Sequence, residues 1–125
     1  MTPQELRARL AVFAIAIEKF SRPLLGSIET RDAAVQLRRA SSSAAANHRA
    51  AGRGRSHAEF ASKLGIALEE ADEALFWLEF LDESDLAPKK ELLPLIHEAR
   101  EVVAILTTSI QTARSRTPRH SRFAR

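Results

Sequence analysis

The chain contains no cysteine and only four glycines in 125 residues. The absence of cysteine excludes disulfides, thiolate metal ligands and a cysteine nucleophile, and it is typical of a reducing compartment. Segments that alternate apolar and polar residues, as half-buried strands do, are also lacking. Alanine and leucine, which lose little side-chain freedom in a helix, dominate the apolar 45% of the sequence. The composition therefore predicts an all-α protein, and the length predicts one domain with one core.

No apolar run approaches the roughly 20 residues that a membrane span requires. The nearest candidate, "LAVFAIAI" over residues 10–17, follows two arginines and imitates a secretory signal peptide. It ends at once at Glu18 and Lys19, and its large apolar residues keep a helical spacing through Phe20. We therefore predict a mature amphipathic helix in a cytoplasmic protein without a membrane partner.

Helical spacing and helix-breaking residues divide the chain into four predicted helices. The first covers residues 3–20, and Pro23 and Gly26 follow it; the second covers about 30–52. Ser56 and Glu59 form a capping-box pattern that starts a third helix, which reaches about residue 82. The fourth runs from residue 88 or 94 to about 114. Pro94 lies one turn too far inside for a first-turn proline, so either the helix kinks there or residues 88–93 form a separate turn, which we prefer.

Short connections between long helices predict an antiparallel up-down-up-down four-helix bundle over residues 1–115, followed by a disordered basic tail over 116–125. Small side chains over residues 41–46 would let a neighbouring helix approach closely, and "GRGR" at 52–55 would form a tight turn. A capped helix directly after this stretch argues against a flexible linker. A phosphate-binding loop of the Walker type is excluded, because the glycines follow a helix and no lysine occupies the required position.

The segment "LRRASSSAAANHRAAGRGRSHAEFASKLGIALEEADEALFWLEFL", residues 37–81, resembles the signature of the four-helix-bundle family also called 23S rRNA-intervening sequence proteins. The resemblance implies an antiparallel bundle, assembly as a homopentamer and no enzymatic activity. It also implies kinship with nucleic-acid-binding accessory subunits of reverse transcriptases in diversity-generating elements. Gly52 and Gly54 depart from the family pattern, and they predict a less rigid turn than in other members.

Charges of opposite sign occupy different segments. Charged residues from 38 to 57 are all basic, those from 69 to 85 are all acidic, and the C-terminal residues 114–125 are basic without any acid. One interpretation is that the arginines of the second helix pair with carboxylates of the third, within or between subunits. The other is a basic surface that binds the phosphates of RNA or DNA. The candidate nucleic-acid-binding residues are Arg38, Arg39, Arg49, Arg53, Arg55, Arg114 and Arg116.

Several apolar and polar side chains indicate contacts that one bundle cannot complete. Phe76, Trp77 and Phe80 place aromatic rings on more than one side of the third helix. In the first helix, the segment 11–17 is apolar on all of its sides. These features predict subunit interfaces and thus a homo-oligomer. Asn47 lies among small residues, where we expect its amide to bond to a neighbouring helix rather than to a ligand.

A di-iron bundle requires Glu-x-x-His pairs, and none of the four histidines has a glutamate three residues before it. We therefore predict no enzymatic activity, no catalytic residues, no metal and no cofactor. The predicted function is an oligomeric nucleic-acid-binding or accessory module. The alternative is a structural or adaptor protein that binds another protein, such as a reverse transcriptase, without contacting nucleic acid.

Overall fold

The computed structural model describes residues 1–116, so most of the predicted basic tail, 117–125, lies outside the described residues. The helices are α1 (Pro3–Ser21), α2 (Arg31–Ala51), α3 (His57–Glu83) and α4 (Lys89–Ser115), and a 3₁₀ turn, Arg22–Gly26, follows α1. The described part of the chain has no strand. The predicted all-α four-helix bundle is therefore confirmed.

Capping side chains explain why α1 and α3 begin where they do. The Thr2 hydroxyl accepts a hydrogen bond from the Glu5 amide at 3.1 Å, and the Glu5 carboxylate accepts one from the Thr2 amide at 3.4 Å. In α3 the Ser56 hydroxyl accepts from the Glu59 amide at 3.1 Å, at the position where the sequence predicted a helix start. Each cap satisfies an amide that would have no partner in the first helical turn.

The four helices pack in chain order around one core. Helix α2 lies between α1 and α3, and α3 packs on α4 along its length; α1 makes far less contact with α4. At this thin seam the Arg9 guanidinium donates to Glu98 at 2.7 Å and to Glu101 at 2.6 Å. These ion pairs supplement the core contacts by which α1 and α4 meet, where Leu6 and Leu10 share a buried cluster with Val102 and Leu106.

Small residues form the tightest part of the core, between α2 and α3. Ser41 and Ala44 of α2 are buried, and Ala44 packs in one cluster with Ala67 and Ala71 of α3. These short side chains let the two helices approach closely, as predicted for residues 41–46, although Ala46 at the end of that stretch is exposed. Larger side chains fill the rest of the core: Leu6, Leu10, Phe13, Ile17, Leu37, Leu64, Leu78, Leu81, Leu92, Ile96, Val102, Leu106 and Ile110.

Pro94 does not end a separate turn. Helix α4 is continuous from Lys89, with Pro94 in its sixth position, so our preference for a separate turn over residues 88–93 was wrong. Proline here removes one amide that would bond to the Lys90 carbonyl. Both residues are exposed, so water can solvate that carbonyl, while the buried Leu92 and Ile96 on either side hold the helix against the core. Tertiary packing thus overrides the local preference.

None of the helices over residues 1–116 has an apolar stretch long enough to cross a lipid bilayer.

Candidate nucleic-acid interface

One end of the bundle is strongly basic. Antiparallel packing brings together the start of α1, the turn between α2 and α3, and the end of α4. We call this region the basic end and define it as residues 1–8, 48–62 and 107–116. It contains only two acidic residues, Glu5 and Glu59, both in first helical turns. Its basic residues are Arg7, His48, Arg49, Arg53, Arg55, His57, Arg114 and Arg116.

A row of exposed residues on the outer face of α2 leads into the basic end. Arg39 and Arg49 lie on this face, the exposed Ser42 and Ala46 separate them, and Arg53 follows in the turn. None of these three arginines has a carboxylate within 4 Å among residues 1–116. Their guanidinium groups are therefore available to an external anion.

Arg38 has a different environment from the other candidates. Its guanidinium donates two hydrogen bonds of 2.9 Å to the carboxylate of Glu18 on α1, and Arg22 donates to the same carboxylate at 3.0 Å. The hydrogen bonds from Arg22 and Arg38 lower the pKa of Glu18. Arg38 thus joins α1 to α2, and its role in binding phosphate stays a prediction.

The turn between α2 and α3 presents a highly exposed cation. The Arg55 side chain is 92% exposed and lies 3.9 Å from Glu59, a contact that solvent largely screens. Gly54 makes this turn tight, because a Cβ atom there would lie 3.1 Å from the Ala51 carbonyl oxygen and 3.2 Å from the Phe60 amide nitrogen. The turn is closely packed, as the sequence predicted for residues 52–55, and its rigidity relative to other family members stays a prediction.

The last turn of α4 completes the basic end. Arg114 and Arg116 are both exposed there. Across from them, His57 at the start of α3 places its Nε2 atom 2.9 Å from the carbonyl oxygen of Ala113, which fixes the end of α4 to the start of α3. The structure thereby brings five of the seven predicted arginines, all except Arg38 and Arg39, to one end of the bundle.

Two residues of the basic end were missed by the sequence analysis, Arg7 and His48. Both line a cavity at this end, together with Arg49 and Arg116. His48 is buried, and burial followed by the nearby positive charge of Arg7 lowers its pKa. Antiparallel topology was the available signal for Arg7, because it places the first turn of α1 beside the last turn of α2.

The acidic residues of α3 do not pair with the arginines of α2 in the described part of the chain. Glu79 accepts from Arg100 of α4 at 2.9 Å, and Asp82 accepts from Lys89 at 2.8 Å. The pKa of Glu70 is raised by burial and by the neighbouring Glu73, and the positive charge of Arg39, which lowers this pKa, has the smallest effect on it. Within one subunit, the proposed pairing of α2 with α3 was therefore wrong.

Asn47 was predicted to bond to a neighbouring helix, and that prediction was also wrong. Its Nδ2 atom donates to the carbonyl oxygen of Ser43 at 2.9 Å and to the Ser43 hydroxyl at 3.1 Å, one turn back in α2. A hydrogen bond to the preceding turn satisfies a half-buried amide without a second helix.

Apolar side chains are exposed on two faces away from the basic end. Val12 and Ile15 on α1 are 67% and 56% exposed, and Phe76 and Phe80 on α3 are 54% and 39% exposed. Phe76 and Phe80 pack edge-on against Trp77, with ring centroids 5.0 and 5.4 Å from the indole. In a single bundle, an aliphatic face on α1 and an aromatic face on α3 are therefore exposed.

No group of three or more His, Asp or Glu residues among residues 1–116 is arranged to hold a metal ion.

Comparison with known proteins is consistent with this fold. No curated protein matches the chain. A crystal structure of a protein of unknown function from the S23 ribosomal protein family of Bacteroides thetaiotaomicron superposes with a TM-score of 0.81 at 27% identity, and the match covers 89% of this chain and 99% of that one. The profile of the 23S rRNA-intervening sequence protein family matches residues 7–108. The chain belongs to the 23S rRNA-intervening sequence protein family.

Proposed function

We propose that this protein is a non-enzymatic, oligomeric module of the cytoplasm that binds RNA or DNA through its basic end. The observation that carries the proposal is the set of exposed arginines there, of which Arg49 and Arg53 lack any carboxylate partner among the described residues. Unpaired guanidinium groups gathered on one surface attract phosphate and release its counterions. The non-enzymatic role rests on the family resemblance and on the lack of a Glu-x-x-His pair in the sequence.

Oligomerisation would strengthen this binding. A closed ring repeats each cluster of Arg49, Arg53 and Arg55 by symmetry, so several small basic patches become one larger basic surface. The exposed faces of α1 and α3 offer the apolar surface that such contacts need. A ring of five subunits is what the family resemblance implies.

A second candidate function is that of an adaptor for another protein, such as a reverse transcriptase. The aromatic face of α3 favours it, because exposed phenylalanines beside a tryptophan are enriched at protein interfaces. In this case the arginines would only increase solubility, and nucleic acid would bind weakly or not at all.

The test is the salt dependence of nucleic-acid binding. We expect the affinity of the full chain for RNA or DNA to fall with salt, with a slope of log K against log salt near −0.9 per neutralised phosphate on duplex and about −0.7 on single strands. Changing Arg49, Arg53 and Arg55 together to Gln should weaken binding and flatten that slope. Deletion of residues 116–125 measures how much of the nucleic-acid affinity comes from the C-terminal tail.

A matched control removes the same charge from the opposite end of the bundle. Changing Lys19, Arg31 and Lys90 to Gln lowers the net charge equally but leaves the basic end intact. If both triple variants weaken binding to the same degree, the effect is one of net charge and the assigned surface is wrong. If the full chain shows no binding even at low salt, the adaptor function is favoured instead.

A further inference from the structure

A cavity of about 1220 Å³ opens at the basic end. Its sides are the first two turns of α1 and the last turns of α4, and its floor is formed where α2 meets α3. The cavity opens between these ends of α1 and α4. Small-molecule pockets in proteins have volumes of about 300–1,000 Å³, so the cavity has room for a nucleotide.

The deepest part of the cavity is apolar and includes an aromatic ring. Ala51, Leu64 and Ala113 lie at its floor and are buried in one small cluster, and the half-buried Phe60 packs against them. An aromatic ring in an open, partly apolar cavity is the kind of surface on which proteins stack unpaired bases.

His48 is a polar group of this cavity without a partner. It is only 8% exposed, its Nδ1 atom is buried without a hydrogen bond, and Nε2 also has no partner among residues 1–116. Buried polar groups in native proteins are almost always hydrogen-bonded, and His48 belongs to the cavity lining, so its imidazole is a polar group there with bonding capacity left for a ligand. A neutral imidazole has one donor and one acceptor, as the edge of a base does.

Arginine side chains surround the apolar part of the cavity. Arg7, Arg49 and Arg116 belong to the lining, and no Asp or Glu among the described residues does. Three guanidinium groups beside a cavity with an aromatic floor fit a nucleotide, with its phosphates on the arginines and its base inside.

We infer that this cavity receives one unpaired nucleotide, so that the protein binds single-stranded nucleic acid, or an unpaired end, in preference to a blunt duplex. The inference rests on the proposed function and specifies its substrate. A duplex keeps its bases stacked and paired, and it can therefore offer the arginines its backbone but cannot place a base against Phe60.

The experiment compares a labelled single strand with the blunt duplex of the same sequence, by fluorescence anisotropy at one salt concentration. Two variants, Thr108→Trp and Ala104→Trp, fill the cavity from the exposed wall of α4 and leave every arginine in place. The matched control is Gln111→Trp, which puts the same side chain on α4 outside the cavity lining.

We expect the unmodified chain to favour the single strand, and each cavity-filling variant to lose roughly tenfold or more in single-strand affinity, the effect of losing one stacked base. Duplex affinity should stay unchanged in all three variants. Equal affinity for both forms in the unmodified chain, or an equal loss in the Gln111→Trp control, overturns the inference and leaves the proposed function standing. Binding to neither form overturns both.

Discussion

At the scale of single residues, Gly52 and Gly54 differ although they share one turn. A Cβ atom at Gly54 would come within 3.1 and 3.2 Å of backbone atoms of Ala51 and Phe60, which have no flexible end to move aside. At Gly52 the nearest atom would be the Arg49 carbonyl oxygen at 3.5 Å, an ordinary contact, and φ is −65°.

We therefore expect Gly54→Ala to lower the free energy of unfolding by about 1–3 kcal/mol through overpacking. Gly52→Ala should raise it by about 0.4–1 kcal/mol, because alanine restricts the unfolded chain more than glycine does. Urea unfolding followed by circular dichroism measures both variants. Equal effects of the two changes would show that the tight contact at Gly54 is not present in solution.

His48 should make stability depend on pH near neutrality. Because burial and the charge of Arg7 lower its pKa from the ordinary value of 6.5, the unfolded chain binds a proton more readily than the folded one. The free energy of unfolding should therefore fall as the pH drops below about 6.5, and the loss should be complete once the pH is below the folded-state pKa. The lowered pKa values of Glu18 and Glu101 have the same sign of effect but act only below their ordinary value of 4.5.

The change that tests this is His48→Leu, followed by thermal unfolding between about pH 7 and pH 5. The variant should lose most of the pH dependence in that range. The control is His97→Gln, at a histidine whose side chain is 76% exposed. This variant should show the same pH dependence of stability as the unmodified chain. An unchanged slope in His48→Leu would assign the effect to another group.

At the scale of elements, the small-residue contact between α2 and α3 determines how closely these helices pack. Ala44 is fully buried at this contact, whereas Ala46 two residues later is exposed. Ala44→Leu should lower the free energy of unfolding by about 1–3 kcal/mol through overpacking. Ala46→Leu adds the same atoms on the outer face and should change it by no more than about 0.5 kcal/mol. Similar melting temperatures for both variants would contradict the packing described here.

The sequence predicted the elements better than it predicted the candidate site. Apolar spacing and the Ser56 cap placed the helices to within a few residues, because both signals are local. The wrong prediction at Pro94 has a physical reason: the hydrogen bond that proline removes from the helix is offset by the burial of Leu92 and Ile96, which local helix preference does not include. The cavity with Arg7 and His48 depends on contacts between distant segments, so composition and spacing could not reveal it.

At the scale of the whole molecule, the uncovered faces of α1 and α3 should mediate assembly. We expect light scattering to give an oligomer, with five subunits if the family resemblance holds. Ile15 on α1 and Phe76 on α3 are 56% and 54% exposed. Ile15→Glu and Phe76→Glu each place a charge on one of these apolar faces. Each change should shift the protein toward monomer without unfolding it. Gln111→Glu, an exposed change on α4, serves as the control. A monomer mass for the unmodified chain at micromolar concentration would contradict this prediction.

The thin seam between α1 and α4 also determines the order in which the molecule opens. Helix α1 is held by α2, by core residues that it shares with α4, and by the partly exposed ion pairs from Arg9 to Glu98 and Glu101. Locally unfolding units are those with the fewest packed contacts, and exposed ion pairs weaken as salt screens them. In native-state hydrogen exchange, the amides of α1 should therefore exchange before those of α2 and α3, and added salt should speed up exchange in α1 more than in α2 and α3.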